Sequence, residues 1–128
     1  MIVDTSAIMA IVLGEPEGEA MLIKLGEASV RRLSVGTWME LGAVIQRRYP
    51  SRAEIAEAFI RTGSFSLEAV TAEQGRIGRE AYRIYGQGAG HPARLNFGDC
   101  FAYALAKTTG EPLLFKGDDF AQTDIAAA

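Results

Sequence analysis

Cysteine and histidine are almost missing: the chain has one of each, Cys100 and His91. A single cysteine excludes an intrachain disulfide and suits a reducing compartment. Together the two cannot build a zinc cluster of thiolates and imidazoles. Long apolar runs are missing too. The longest near the start, Ala7–Leu13, falls well short of the roughly 20 residues that span a bilayer. It has no basic leader, and Asp4 stands where a signal peptide carries positive charge. A cytoplasmic protein with no membrane contact is therefore expected. Positive charge is in deficit, 13 Lys and Arg against 16 Asp and Glu for a net charge of −3, which excludes a protein that coats nucleic acid nonspecifically. Binding of a polyanion would need a local basic rim and a cation in the site.

What is present is a globular balance, 48% hydrophobic and 23% charged residues, in a chain whose 128 residues suit one domain spanning 1–128 with a real core. Runs rich in β-branched residues alternate with helical periodicity. Ile2-Val3-Asp4 reads as a strand and Pro16–Glu27 as a helix with Ala20, Ile23 and Leu22 inward. Arg32–Val35 follows as a strand, and Thr37–Arg48 as a helix burying Leu41, Val44 and Ile45 before the stop at Pro50. Ser51–Thr62 is a helix with Ile55, Ala58, Phe59 and Ile60 inward. A short strand lies within Ser64–Val70, helices over Thr71–Tyr85 and Asp99–Lys107, and a strand over Pro112–Lys116. The order βαβααβααβ predicts an α/β fold: a central, mostly parallel twisted sheet of four to five strands between two layers of helices. The stretch "GQGAGHPARLNFGD" from Gly86 to Asp99 matches neither phosphate-binding glycine motif and reads as a mobile connector that delivers Asp99 to the next helix.

The acids are distributed unevenly. Most Glu lie where helices meet solvent, whereas each Asp falls at an element boundary: Asp4 after the first strand, Asp99 at a helix start, and Asp118, Asp119 and Asp124 after the last strand. Each has a plain structural explanation. Asp4 can cap a helix beginning near Ser6 or Ala7, and Asp99 suits the first turn of its helix through the macrodipole. Thr37-Trp38-Met39-Glu40 has the form of a capping box, as do Ser51-Arg52-Ala53-Glu54 and Thr71-Ala72-Glu73-Gln74. Asp118 and Asp119 in "KGDDF" can be turn residues. Their joint placement beyond the carboxyl ends of strands argues for more, because that edge of a parallel sheet is where ligands bind. Clustered carboxylates repel unless a cation lies between them, and an all-oxygen pocket favours Mg²⁺, with Mn²⁺ able to substitute.

Four segments, "MIVDTSAIMAIVLGEPE", "WMELGAVI", "NFGDCFAYALAK" and "EPLLFKGDDF", together resemble the PIN-domain toxins of the VapC type along essentially the whole chain. The resemblance implies a PIN-like fold, a metal-dependent endoribonuclease, a cognate VapB-type antitoxin that inserts an Arg into the acidic pocket, and self-association into a homodimer. It carries Asp4, Glu40 and Asp99 over as metal-site residues and Ser6 as a supporting hydroxyl. The fourth acid departs from the common Thr-Arg-Asp-x-Asp-Phe form, whose first Asp falls on Gly117 here, so Asp118 is expected ahead of Asp119.

The reaction expected is hydrolysis of RNA phosphodiester bonds by metal-activated water, without a side-chain nucleophile. Arg47, Arg48 and Arg94 are candidate phosphate contacts, each equally explicable as a solvated surface residue. Arg76, Arg79 and Arg83 read as a wet helix face, Trp38 as a core or interface aromatic rather than a base-stacking platform, Cys100 as a buried small hydrophobe, and His91 as lying outside the site with no evident partner. Surplus apolar residues Met21, Leu22, Leu25, Trp38 and Met39 point to a partner groove. The same pocket would also suit a phospho-receiver domain or an aspartyl-phosphate phosphatase, and an altered fourth acid would suit a degenerate domain. A receiver, however, wants an acid pair after strand one and an Asp after strand three, where "SFSLEAVT" has none.

Overall fold

A computed structural model describes residues 1–128. Four strands, β1 (Ile2–Val3), β2 (Arg31–Ser34), β3 (Phe65–Glu68) and β4 (Leu113–Leu114), form one sheet in the order β3-β2-β1-β4. Every pairing is parallel. Six helices surround it: α1 (Thr5–Leu13), α2 (Gly18–Glu27), α3 (Val35–Arg48), α4 (Ala53–Thr62), α5 (Ala72–Tyr85) and α6 (Asp99–Thr109). No helix is long and apolar enough to cross a membrane.

The alternation of side chains along a strand divides the interior in two. Val3, Leu33 and Leu114 join α1 to α4 on one face, with Ile8, Leu41 and Ile45 at the centre of that cluster. Ile2 and Leu113 join Ala102, Tyr103 and Leu105 of α6 on the other, closed by Leu95 and Phe120. The three-layer α/β/α architecture expected from the sequence is therefore present, with four strands.

Helix α1 is an addition to the expected order. Its run TSAIMAIVL is apolar almost all round, so it shows no helical stripe to read. A helix of that composition belongs in the interior, and Ala7, Ile8, Met9, Ala10 and Val12 are indeed buried. Asp4 caps its start, and Gly14 ends it in the left-handed region at φ 68°.

Other inward faces shift. On α2 it is Met21 and Leu25 that are buried, while Ala20, Leu22 and Ile23 face solvent. The run Ala-Met-Leu-Ile offers adjacent stripes, and docking against α1 selects the Met21–Leu25 one. On α4, Ala56 and Ile60 are buried, Ala58 and Phe59 half-buried, and Ile55 exposed. Helix α3 buries Leu41 and Ile45 as expected, with Val44 half-buried.

The glycine-rich connector is tied down. Gln87 N–H donates to Leu95 O at 2.9 Å and Leu95 N–H to Tyr85 O at 2.8 Å. Ala93 and Leu95 are fully buried. His91 does have partners: its Nδ1 accepts from Ala93 N–H at 3.2 Å, and its ring meets Tyr85 edge-on at 4.9 Å. Buried Ala93 and Leu95 anchor the segment in the α6-side core, a constraint that its Gly and Pro content does not reveal.

Helices α1 and α2 cross closely because residue 18 lacks a side chain. A Cβ there would lie 2.6 Å from Ala10 O and 3.2 Å from Ile11 Cα, both backbone atoms that cannot swing aside. Overpacking of that kind costs about 1–3 kcal/mol, more than the gain in helix propensity of roughly 1 kcal/mol from Gly to Ala. Gly18→Ala is expected to lower the melting temperature by several degrees in a thermal denaturation measured by circular dichroism.

Candidate metal centre

Three buried or half-buried acids gather beyond the carboxyl ends of β1, β2 and β4, each brought there by a helix start or first turns. Asp4 follows β1 directly. Its Oδ2 accepts from Ser6 N–H at 2.8 Å and Ser6 Oγ at 2.6 Å, capping α1. Its Oδ1 is buried and has no hydrogen-bond partner.

Asp99 is held in the same divided way. Asn96 Oδ1 accepts from Asp99 N–H at 3.1 Å while Asp99 Oδ2 accepts from Asn96 N–H at 2.7 Å. This reciprocal pair has the form of a capping box one turn ahead of α6, and it leaves Asp99 Oδ1 without a protein donor.

Glu40 does not cap. Helix α3 starts at Val35 and is capped by Ser34, whose side chain accepts from Gly36 N–H at 3.3 Å. Thr37 lies inside the helix, fully buried, with its own Oγ1 unpartnered. The capping-box reading of Thr37 and Glu40 is thereby corrected: Ser34, a turn earlier, takes the position. Of the other two such motifs, Thr71 accepts from Gln74 N–H at 3.1 Å, whereas the helix after Ser51 has no side-chain cap. Glu40 instead reaches back to α1, where Thr5 Oγ1 donates to its Oε2 at 2.7 Å. Thr5 was not anticipated as a site residue; a hydroxyl next to an acid at a strand end was the signal available.

Electrostatics shows that these acids share one region. Burial pushes the Asp99 carboxyl up to about 7, helped by the charges of Asp4, Glu40 and Asp119 and opposed by the Asn96 N–H. Burial raises Asp4, with the charge of Asp119 adding to it against the Ser6 and Thr5 donors. Glu40 is raised by burial, lowered by the Thr5 hydroxyl and raised again by Asp4. The exposed Asp119 thus acts on both Asp4 and Asp99, and Asp118, one residue earlier, acts on neither. Both residues lie in the turn after Gly117, and of the two it is Asp119 whose charge adds to the raising of Asp4 and Asp99.

Ser6 joins the parts. Its Oγ donates to Asp4 and accepts from Lys116 N–H at 2.9 Å, tying the segment that carries Asp119 to the start of α1. Lys116 is anchored in turn by Glu15 at 2.7 Å and Glu17 at 3.3 Å.

As the side chains stand, no three His, Cys, Asp or Glu residues close around a point where an ion could sit. The donor set nevertheless suits a hard divalent cation. All its atoms are carboxylate oxygens, burial above all and then neighbouring negative charge raise each carboxyl, and the buried orphan Asp4 Oδ1 lacks the partner that a buried charge requires. Asp4, Glu40 and Asp99 are the residues that would hold such an ion, with Asp119 at the rim.

Several candidates lie elsewhere. Arg47, Arg48 and Arg94 are exposed, and none bonds to an acid of the cluster. Asp124 accepts from Tyr103 Oη at 2.7 Å and Lys107 Nζ at 2.8 Å, a structural tie outside the site. Cys100 is buried with its thiol pushed up to about 11, so it is inert. A groove of about 610 Å³ between α5 and α6 begins at the exposed Phe97 beside the acids. It is lined mainly by apolar and aromatic side chains, with Arg76 and Arg79 also in its wall.

The family model for the PIN domain matches residues 1–126. A VapC ribonuclease of Mycobacterium bovis, Mb2780c, is 49% identical over 129 residues, covering 100% of this chain and 98% of that protein. Ribonuclease VapC28 of Mycobacterium tuberculosis is 46% identical over 129 residues, covering 100% and 97%. Among solved structures, VapC20 of M. tuberculosis, described as a sarcin-ricin loop cleaving toxin, superposes with a TM-score of 0.77 at 22% identity over 99% of this chain and 97% of that one. A toxin-antitoxin complex from Klebsiella pneumoniae gives 0.72 at 16% identity, covering 99% and 95%. The chain belongs to the PIN-domain family and, within it, to the VapC group.

The raised Asp99 carboxyl sets the pH dependence of the ion-free protein. In the unfolded chain Asp99 titrates near its ordinary 3.8, in the folded one near 7, so between these values the folded state binds the extra proton. Stability is then greatest at low pH within that window and is lost as pH rises through about 7. In EDTA the melting temperature is expected to fall by several degrees from about pH 5 to about pH 8. Asp99→Asn is expected to flatten that slope and to melt higher than the parent at the alkaline end.

Proposed function

We propose that the protein is a metal-dependent endoribonuclease, the toxin of a type II toxin-antitoxin pair, acting from a single nuclease domain spanning 1–128 in the cytoplasm. The observation that carries the proposal is the divided role of its acids. Asp4 gives one oxygen to a helix start, Asp99 one to Asn96 N–H and Glu40 one to Thr5, and each keeps the other without a protein donor. The ribonuclease names of relatives 46–49% identical over the whole chain support the reading.

A bound Mg²⁺ or Mn²⁺ would supply Lewis acidity, lowering the pKa of a water and neutralising charge on the scissile phosphate. The chain's residues do the rest. Asp4 and Asp99 present their free oxygens as ligands, Glu40 and Asp119 complete the negative field and orient the attacking water, and Ser6 keeps Asp4 and the Asp119 segment in register. No serine, cysteine or histidine is placed as a nucleophile. Arg47, Arg48 and Arg94 remain candidates for backbone phosphates of the RNA, since each is exposed and uncommitted to an acid of the site.

A phospho-receiver is disfavoured by β3, whose terminal acid Glu68 is paired with Arg32 at 2.7 Å. An aspartyl-phosphate phosphatase needs an acid two residues after its nucleophile; that position is Ser6, which is engaged with Asp4. For partners, we propose a VapB-type antitoxin and a second copy of the chain. The surplus apolar surface supports the antitoxin, although Met21 and Leu25 are buried in the core. The exposed Leu22 lines a groove with Phe59 and Phe65. Ile23 and Met39 are exposed as well.

With purified protein and total RNA, Mg²⁺ or Mn²⁺ is expected to support cleavage and EDTA to stop it. Asp4→Asn and Asp99→Asn are each expected to lower the rate by about 100-fold or more with the fold intact, as loss of a ligand does. Asp119→Asn is expected to cost at least about tenfold and Asp118→Asn less than about threefold. A folded parent that leaves RNA uncut under every ion would mark a degenerate domain.

A further inference from the structure

Glu40 is the acid least constrained by its own position. Asp4 is fixed by the helix start it caps and Asp99 by its exchange of hydrogen bonds with Asn96, whereas Glu40 lies in the second turn of α3 on a longer side chain, where a solvent-facing rotamer would relieve its repulsion with Asp4. Two features oppose that escape. Thr5, buried next to Asp4, donates its hydroxyl to Glu40 Oε2 at 2.7 Å. On the other side the carboxylate lies against residue 98, and a Cβ built on Gly98 would overlap both Glu40 carboxylate oxygens and the carbon between them. Gly98 has an ordinary helical backbone, φ −63° and ψ −39°, so no conformational demand explains a glycine there. The space that its missing side chain leaves is filled by the Glu40 carboxylate.

We propose that Thr5 and Gly98 are positioning residues that clamp the Glu40 carboxylate from two sides, so that it faces the ion shared with Asp4 and Asp99. The inference rests on the metal-centre reading above. Thr5 donates to the Glu40 carboxylate at 2.7 Å, well inside its 3.5 Å distance to the Thr37 carbonyl, and Gly98, one residue from Asp99, leaves the space that the carboxylate occupies. Both act through Glu40 and neither touches the substrate.

The test measures Mn²⁺ affinity by calorimetry on the full chain, beside melting temperature in EDTA. Gly98→Ala is expected to weaken Mn²⁺ binding at least about tenfold. Thr5→Val, which keeps the shape and removes the donor, is expected to do the same, and Thr5→Ser to restore affinity to within about threefold of the parent. In a Glu40→Ala background, Gly98→Ala is expected to add less than about twofold, because its effect passes through the absent carboxylate. Should Gly98→Ala not fold, the Thr5 pair carries the test. Unchanged Mn²⁺ affinity in Gly98→Ala and Thr5→Val overturns the clamp, as does an equal loss with and without Glu40. A parent that binds no Mn²⁺ overturns the metal reading itself and the clamp with it.

Discussion

Asp4 is buried at the junction of β1 and α1 with one oxygen capping a helix and the other facing no donor at all. Burying a carboxylate with an orphan oxygen is unfavourable by itself, and Asp99 and Glu40 nearby make it more so. The fold tolerates this because each acid is anchored by groups that stabilise the structure in their own right: Ser6 for Asp4, Asn96 for Asp99, Thr5 for Glu40. Each acid thus commits one oxygen to a contact that holds the fold and leaves the other without a protein donor.

Much of this was legible in the sequence. The parallel sheet follows from alternating strand and helix patterns, and the acids were placed at the ligand-binding edge because each closes or opens an element. What escaped has specific physical causes. Helix α1 entered only as a helix that Asp4 could cap and was missing from the element order, since an interior helix has no polar face to set its period. The face of α2 depended on which stripe α1 would accept. The start of α3 was misread because Ser34 and Thr37 are both competent caps three residues apart, and only the end of β2 decides between them. The connector before Asp99 looked loose because its anchors, Ala93 and Leu95, are two apolar residues among glycines.

The structure brings Asp4, Glu40 and Asp99 near one another and adds contacts that the sequence does not display. Asp4, Glu40 and Asp99 could be named from sequence, yet the groups that orient them could not. Thr5 meets Glu40 across 35 positions of chain, and Gly98 matters for the atoms it lacks. Asp118 and Asp119 are neighbours in the turn after Gly117, whose φ of 97° suits glycine, and sequence alone does not tell which of the two charges reaches Asp4 and Asp99.

Strand β1 is two residues long, and each belongs to a different core: Ile2 to the α6 side, Val3 to the α1 side. A slip of one position along its neighbours would exchange these two tenants and at the same moment carry Ser6, and Asp4 with it, away from the Lys116 N–H that ties the two segments. Misalignment of the sheet is therefore penalised twice over, in the interior and at the acidic edge. The cleft that gathers the acids also proofreads the threading of the chain through its own centre.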